Sequence, residues 1–520
     1  MGVAFALVLS LVGLIALWVW QTRRRTYWQR RGVPGPTPVP LLGNYAPYIF
    51  LQRYLGQVAQ ALCRPFPNAP YVGAYYGPNP VLVLQDPAIV KLVMTQAFTH
   101  FHGREITSYA DLESVTRNLF FTYGDRWKLM RQNMSPVFSS TKIKHMFYLV
   151  EKCAKSFEKM LERESRGTDI LETRGLAARY TMDAICSCGF GIEVETMGED
   201  VENNAFKKMG DLIFSNSTYR GFLFLARAIY PKIFYALGFK AFPDTIIEFF
   251  RNILIDVFKS RNYEPSGRND FVDIMLNLKK NELVTCDSIE RPGEKVNLKI
   301  DDEFLVAQCV VFFAAGFETS STTICLSLFE LAKDEESQNR AMAEVDEYLR
   351  KNDGKVHYEC VNELPYLDAI LDETLRLYPV LSVLTREVMR DYTLPDGLKL
   401  ERGLRIHIPV YHIQHNPENF PEPERFRPNR FLQQNWHLIK PYTYIPFGEG
   451  PRICIGMRIA KMQMLPALLT VLKSYRVELA PGMPTELEFD PRVHPTEPTI
   501  GIRLRYTKRE QKYKGVMRLN

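Results

Sequence analysis

The stretch Phe447-Gly448-Glu449-Gly450-Pro451-Arg452-Ile453-Cys454-Ile455-Gly456 places a sulfur where a glycine-rich loop meets a helix. Gly448, Gly450 and Pro451 prevent regular structure ahead of Cys454, and residues 457–473 return to mostly helix-forming types. Unpaired N–H groups at that helix N-terminus, with Arg452 nearby, favour a thiolate, which is a metal ligand or a nucleophile. A second concentration of chemistry is Ala315-Gly316-Phe317-Glu318-Thr319, inside an otherwise apolar helical stretch. A Gly there costs about 1 kcal/mol against Ala and an unpaired buried carboxylate considerably more, so rule-breaking on this scale points to a site. Trp127 and Arg131 share a helix face at i, i+4, and Glu373 and Arg376 stand at i, i+3. Taken alone, the first two read as packing plus surface charge and the second two as a surface ion pair.

These groups need a large scaffold, and 520 residues at 46% hydrophobic and 24% charged can build one. No flexible linker follows residue 40, so one large domain is expected. The net charge of +6 suits an acidic partner or a membrane surface; without a dense Lys/Arg run beyond the N-terminus it does not suggest nucleic acid. Nine irregularly spaced cysteines argue against a disulfide scaffold and place the body in the cytosol, with Cys186 and Cys188 as packing residues. Residues 301–333 read as a buried central helix, because the apolar run 304–317 is too short to span a bilayer and contains Gln308. Residues 71–84 read as a β-hairpin around Gly77-Pro78-Asn79-Pro80. Residues 222–250, broken by Pro231, Gly238 and Pro243, read as two short helices with a mobile joint. Pro466 is expected to kink the helix after Cys454.

At the N-terminus, residues 3–20 are apolar and uncharged, about 27 Å as a helix, long enough to cross most of a bilayer. Arg23, Arg24, Arg25, Arg30 and Arg31 follow, so the body is expected on the cytosolic side, with Trp18, Trp20 and Trp28 at the interface. Pro34-Gly35-Pro36-x-Pro38-x-Pro40 then reads as a stiff spacer between anchor and body.

Phe447, Gly448, Gly450, Arg452, Cys454 and Gly456 fit the spacing Phe-Gly-x-Gly-x-Arg-x-Cys-x-Gly, a chance match on the order of one chain in 10^5. In this the chain resembles the cytochrome P-450 superfamily of haem-thiolate monooxygenases, microsomal type, with a residue texture like the insect detoxification members. The resemblance implies a mainly α fold with a small β portion and one haem domain over residues 41–520, after an anchor (3–20) and a hinge (21–40). It makes Cys454 the proximal ligand of the iron of haem b, whose thiolate favours O–O cleavage. Trp127, Arg131 and Arg386 would hold propionates, and Phe447, Arg452 and Ala315 would be further cofactor contacts. Gly316 would open a groove for O2, Thr319 would hydrogen-bond the oxygen being activated, and Glu318 would relay protons.

Glu373 and Arg376, joined by Arg430 from the stretch Pro423, Phe426, Pro428, Arg430 and Phe431, would lock the fold behind the haem, with Asn429 where many members carry Glu. Residues 380–384 would be an apolar strand lining the pocket, and residues 222–250 a lid over the substrate channel. Electrons would come from NADPH through a separate NADPH–cytochrome P-450 reductase, with cytochrome b5 as an optional donor, because no GxGxxG unit follows a strand. Arg458 and Lys461 are the expected docking cations. The substrate would be a lipophilic small molecule, and the location the endoplasmic reticulum membrane. Two rivals stand beside this reading: a haem-thiolate isomerase or dehydratase, against which Glu318 and Thr319 argue, and an anchored protein that stores haem or lipid.

Overall fold

The computed structural model describes residues 26–510 except 106, 215, 269, 281–282 and 494. The expected membrane segment and Arg23–Arg25 therefore lie outside the described residues. The helices that frame the site are, in chain order, α1 (Gly124–Met134), α2 (Ser140–Glu164), α3 (Thr173–Gly189), α4 (Thr218–Ile229), α5 (Pro231–Ala236), α6 (Asp244–Ser260), α7 (Asp302–Lys333), α8 (Pro365–Leu377) and α9 (Met457–Ser474).

The expected central helix is α7. Its 32 residues extend for about 48 Å, and the Asp301 carboxylate caps it by accepting the Phe304 N–H at 2.8 Å. Phe304, Leu305, Phe313, Phe317, Ile324 and Phe329 are buried on several faces, so the helix is apolar because protein surrounds it. One continuous apolar cluster joins it to α2, α3, α6, α8 and α9. The helix after Cys454 runs unbroken through Pro466.

The β portion is small. A four-stranded sheet has the spatial order Tyr71–Tyr76, Asn79–Leu84, Arg405–Ile408, Leu384–Glu387. Its first two strands are the expected hairpin, antiparallel with Tyr71 opposite Leu84; the next junction is parallel and the last antiparallel. The strand expected over 380–384 instead begins at Leu384, which brings Arg386 inside the sheet. A three-stranded antiparallel sheet joins Tyr475–Leu479, Arg503–Lys508 and Ile170–Glu172.

The start of the chain body departs from expectation. Trp28 is 2% exposed, and its indole N–H donates to the Ala74 carbonyl at 2.9 Å. It packs against the side of Gly73 that lacks a Cβ, so it is a core residue and not an interfacial anchor. The proline-rich stretch is likewise no free spacer, because the Pro34 carbonyl accepts the Gly73 N–H at 2.8 Å and Gly43 pairs with Tyr76. The edge of the Tyr71–Tyr76 strand offers unpaired backbone groups, and this stretch satisfies them.

Residues 222–250 form parts of three helices rather than two. Pro231 opens α5 at a position where its missing N–H costs nothing, and Pro243 is the residue before α6. The joint is tethered. The buried Glu113 carboxylate accepts Tyr235 Oη at 2.8 Å and the Ala241 and Phe242 N–H groups at 3.0 Å, and lies 3.5 Å from Arg227 Nε. Tyr219, Phe222, Tyr230, Ile233, Leu237 and Phe239 of this region are exposed.

Candidate active site at Cys454

The loop before α9 is set by local conformation. Gly448 and Gly450 both have φ near +72°, and a side chain at Gly450 would collide with the Met94 carbonyl, so only glycine serves there. The Cys454 N–H donates to the Phe447 carbonyl at 2.8 Å and the Ile453 N–H to the Gly450 carbonyl at 3.0 Å, which closes the loop under the sulfur. Phe447 itself is half-buried. Eight of the nine cysteines are buried or half-buried, and Cys454 alone is exposed. Dense protein on its other sides still pushes the thiol pKa upward, against the N–H groups of Gly456 and Met457 and the charges of Arg131 and Arg104. The helix N-terminus acts on the sulfur as expected, and burial outweighs it.

Arg452 does not act on the sulfur as the sequence suggested. Its Nε donates to the His102 carbonyl at 2.6 Å, a second nitrogen reaches the Thr122 carbonyl, and the guanidinium lies 4.6 Å from the centroid of the Trp127 ring. Trp127 is buried on α1 and also contacts Phe98. One turn on, Arg131 donates to the Ile453 carbonyl at 2.8 Å, tying α1 to the residue beside Cys454. Arg386 is fully buried, and its one acceptor among the described residues is the neighbouring Thr385 carbonyl at 2.9 Å.

Arg104 completes this group, and no spacing in the sequence announced it. The antiparallel pairing of Gly103 with Glu387 brings it beside the strand that carries Arg386. Among the described residues, none of Arg104, Arg131, Arg386 and Arg452 has a carboxylate partner. Burial first, and the neighbouring guanidinium groups second, push Arg386 down to about 9 and Arg452 well below its ordinary range. Burial also pushes Arg104 to about 10, with Arg131 adding to the effect and Cys454 opposing it. The Nε atoms of Arg104 and Arg386 are buried without an acceptor. Four cations gathered without anions form a cradle that lacks its counter-charge. A cofactor with carboxylate arms and a thiolate-seeking metal fits that donor set.

The second group lies on α7. Ala315 is exposed in the middle of a helix that is otherwise mostly buried, so this face is left open. Thr319 is on the same face one turn later, and its hydroxyl donates to the Ala315 carbonyl at 2.6 Å. Gly316 has a different role from the expected groove: an added Cβ would lie 2.5 Å from Ile185 Cδ1 of α3, so the missing side chain permits close helix packing. Glu318 is buried, paired with Arg174 on α3, and Arg174 also meets Glu497 at 3.0 Å. Glu318 therefore lies about 100° around the helix from Thr319 and is engaged elsewhere.

Most of the chain's length matches known proteins. A family model described as Cytochrome P450 matches residues 33–501. Cytochrome P450 6k1 of Blattella germanica is 35% identical over 513 residues, 97% of each chain. Cytochrome P450 6B7 of Helicoverpa armigera is 32% identical, over 97% of this chain and 98% of its own. Cytochrome P450 6a2 of Drosophila melanogaster is 31% identical, over 94% and 96%. The chain belongs to the cytochrome P450 family. As a P450 it is a monooxygenase whose cofactor is haem b, which agrees with the cradle of cations around the Cys454 loop.

Behind the site, Glu373 and Arg376 are not the surface ion pair that their spacing alone suggested but the buried network that the resemblance implied. Glu373 and Arg376 are fully buried and joined by two bonds of 2.7 and 2.8 Å, and Arg430 Nε approaches Glu373 at 3.4 Å. The Arg427 N–H adds a third donor at 2.9 Å. Asn429 is outside this network, exposed and accepting from Arg340 at 2.6 Å. Of the two expected docking cations, Arg458 is exposed. Lys461 is consumed in a half-buried cluster, 2.8 Å from Asp368 and 3.1 Å from Asp372.

Proposed function

We propose that this P450 is a membrane-anchored monooxygenase of lipophilic small molecules that takes electrons from NADPH through a separate reductase. The observation that carries the catalytic part is the exposed Cys454 with Arg104 and Arg131 near it and Arg386 and Arg452 next to those, none of the four with a carboxylate partner among the described residues. Cys454 would ligate the iron. Arg104, Arg131, Arg386 and Arg452 would take the two propionates, with Trp127 supporting Arg452 and with Phe447 and Ala315 against the macrocycle. When bound, haem supplies one-electron redox chemistry and O2 activation. The protein supplies position and protons. Thr319 donates to Ala315, which leaves its oxygen lone pairs free to hold a water on the open face. Glu318 would feed protons toward that water only by loosening its ion pair with Arg174.

The substrate class rests on the apolar interior face of α7 and on the lid α4–α6. The exposed Tyr219, Phe222, Ile233 and Leu237 suit contact with a bilayer, from which an apolar compound would enter. Residues 3–20 would anchor the chain in the endoplasmic reticulum membrane, with 41–520 as the cytosolic haem domain and cytochrome b5 as an optional second donor. Because Trp28 to Gly43 pack on the body, the free part of the hinge would be shorter than 21–40. Reductase would dock near Arg458; Lys461, already neutralised, would contribute little. The test is consumption of an apolar substrate with NADPH and added reductase. Turnover that needs all three components agrees with the proposal; turnover of a peroxide with neither NADPH nor reductase would replace it by an isomerase.

A further inference from the structure

We infer that Gln463, two and a half turns beyond Cys454 on α9, is a positioning residue that selects the rotamer of Thr319. The inference rests on the role given to Thr319 above. Gln463 is 2% exposed. Its Nε2 donates to the Gly316 carbonyl at 2.9 Å and to Ser320 Oγ at 2.5 Å, which uses both amide hydrogens. The carbonyl of Gly316 can only accept, so the amide orientation is fixed: nitrogen, not oxygen, must face α7.

A threonine hydroxyl within a helix has two carbonyls in reach, those at i−4 and i−3, and its χ1 divides between them. For Thr319 these are Ala315 and Gly316. The Gly316 carbonyl already accepts its helical N–H, and the Gln463 amide takes its remaining lone pair. Ala315 is then the acceptor left, and it is the one that Thr319 uses, at 2.6 Å. Ala315 is also the exposed residue of this turn, so the chosen rotamer holds the hydroxyl on the open face.

The Gly316 peptide cannot retreat from Gln463. Ile185 of α3 stands against the side where a Cβ would be. From the same helix, Tyr180 Oη donates to the main-chain carbonyl of Gln463 at 2.9 Å and Thr181 Oγ1 to that of Phe317 at 3.1 Å. Helix α3 thus braces both partners. The helix that begins at the Cys454 loop thereby reaches the Thr319 hydroxyl through one amide, without contact between Gln463 and the open space.

The test uses the full-length, haem-loaded protein and the variants Gln463→Met, Ser320→Ala and Thr319→Val. Methionine keeps the length of glutamine and removes the donors; Gln463→Leu gives a second donor-free variant if the first does not fold. In a crystal structure of Gln463→Met, Thr319 Oγ1 should lie wholly or partly at the Gly316 carbonyl. Product formed per NADPH consumed should fall at least threefold, and adding Gln463→Met to Thr319→Val should change nothing further. Ser320→Ala should leave rotamer and ratio as in the parent. If Thr319 stays on Ala315 alone in Gln463→Met, or if the double variant is additively worse, the inference is wrong. A shifted rotamer with an unchanged ratio would uphold the role of Gln463 and overturn that of Thr319.

Discussion

Replacing Arg386 by Met should leave the fold intact and loosen the cofactor. A buried guanidinium pushed down to about 9 carries an electrostatic cost on the order of 5 kcal/mol at neutral pH. Most of that cost is desolvation, with repulsion from Arg104 second, and only a bound anion can offset it. Methionine fills similar space and carries no charge. Three guanidinium groups remain to face the carboxylates, so the expected loss is one charged hydrogen bond, about 1.5–3 kcal/mol, or haem release roughly 10- to 100-fold faster. The assay is haem transfer from the loaded protein to excess apomyoglobin, followed by the Soret band. In the cofactor-free state the ordering should reverse, because the variant has shed a like charge and should unfold at a higher temperature than the parent. Equal haem release from the two proteins would refute the reasoning, and so would a cofactor-free variant less stable than the cofactor-free parent.

Glu373→Gln should lower stability by about 3–5 kcal/mol, since it leaves Arg376 buried and unpaired, whereas Asn429→Glu on the surface should be nearly neutral; thermal unfolding of the loaded protein checks both. Gly316→Ala should cost about 1–3 kcal/mol by pressing on Ile185, and Ile185→Ala in the same chain should restore most of the lost haem content. Burial and the Glu318 charge raise Glu497 to about 7, against the pull of Arg174. The folded state therefore holds a proton that the unfolded state releases near 4.5, and Glu497 contributes stability below pH 4.5 that is lost as pH rises to 7. The parent should lose on the order of 3 kcal/mol relative to Glu497→Gln between pH 4.5 and 7, read from denaturant midpoints across that range.

The Cys454 loop was legible because its conformation is local. Two glycines at positive φ and a proline dictate the turn wherever the chain goes, and the helix that follows is a matter of residue type. The buried course of α7 was legible for a similar reason, in that an apolar run of that length with no polar face must be surrounded. Arg104 was not, because its approach to Arg386 depends on Gly103 pairing with a strand almost three hundred residues away. Lys461 reads as a free cation until α8 brings Asp368 and Asp372 against it. Trp28 resembles an interfacial residue beside its arginines, and only the packing of Gly73 shows where the ring goes. Gly316 was read as a gap for a ligand, since a missing Cβ does not say from sequence which neighbour fills its place.

The central claim is that Cys454 holds haem iron as a thiolate. The direct measurement is the absorption spectrum of the reduced protein under carbon monoxide, for the parent and for Cys454→Ala. The parent should show the red-shifted Soret band of a thiolate-ligated haem, and the variant should lose it even where some haem remains bound. A variant that keeps the band would contradict the account.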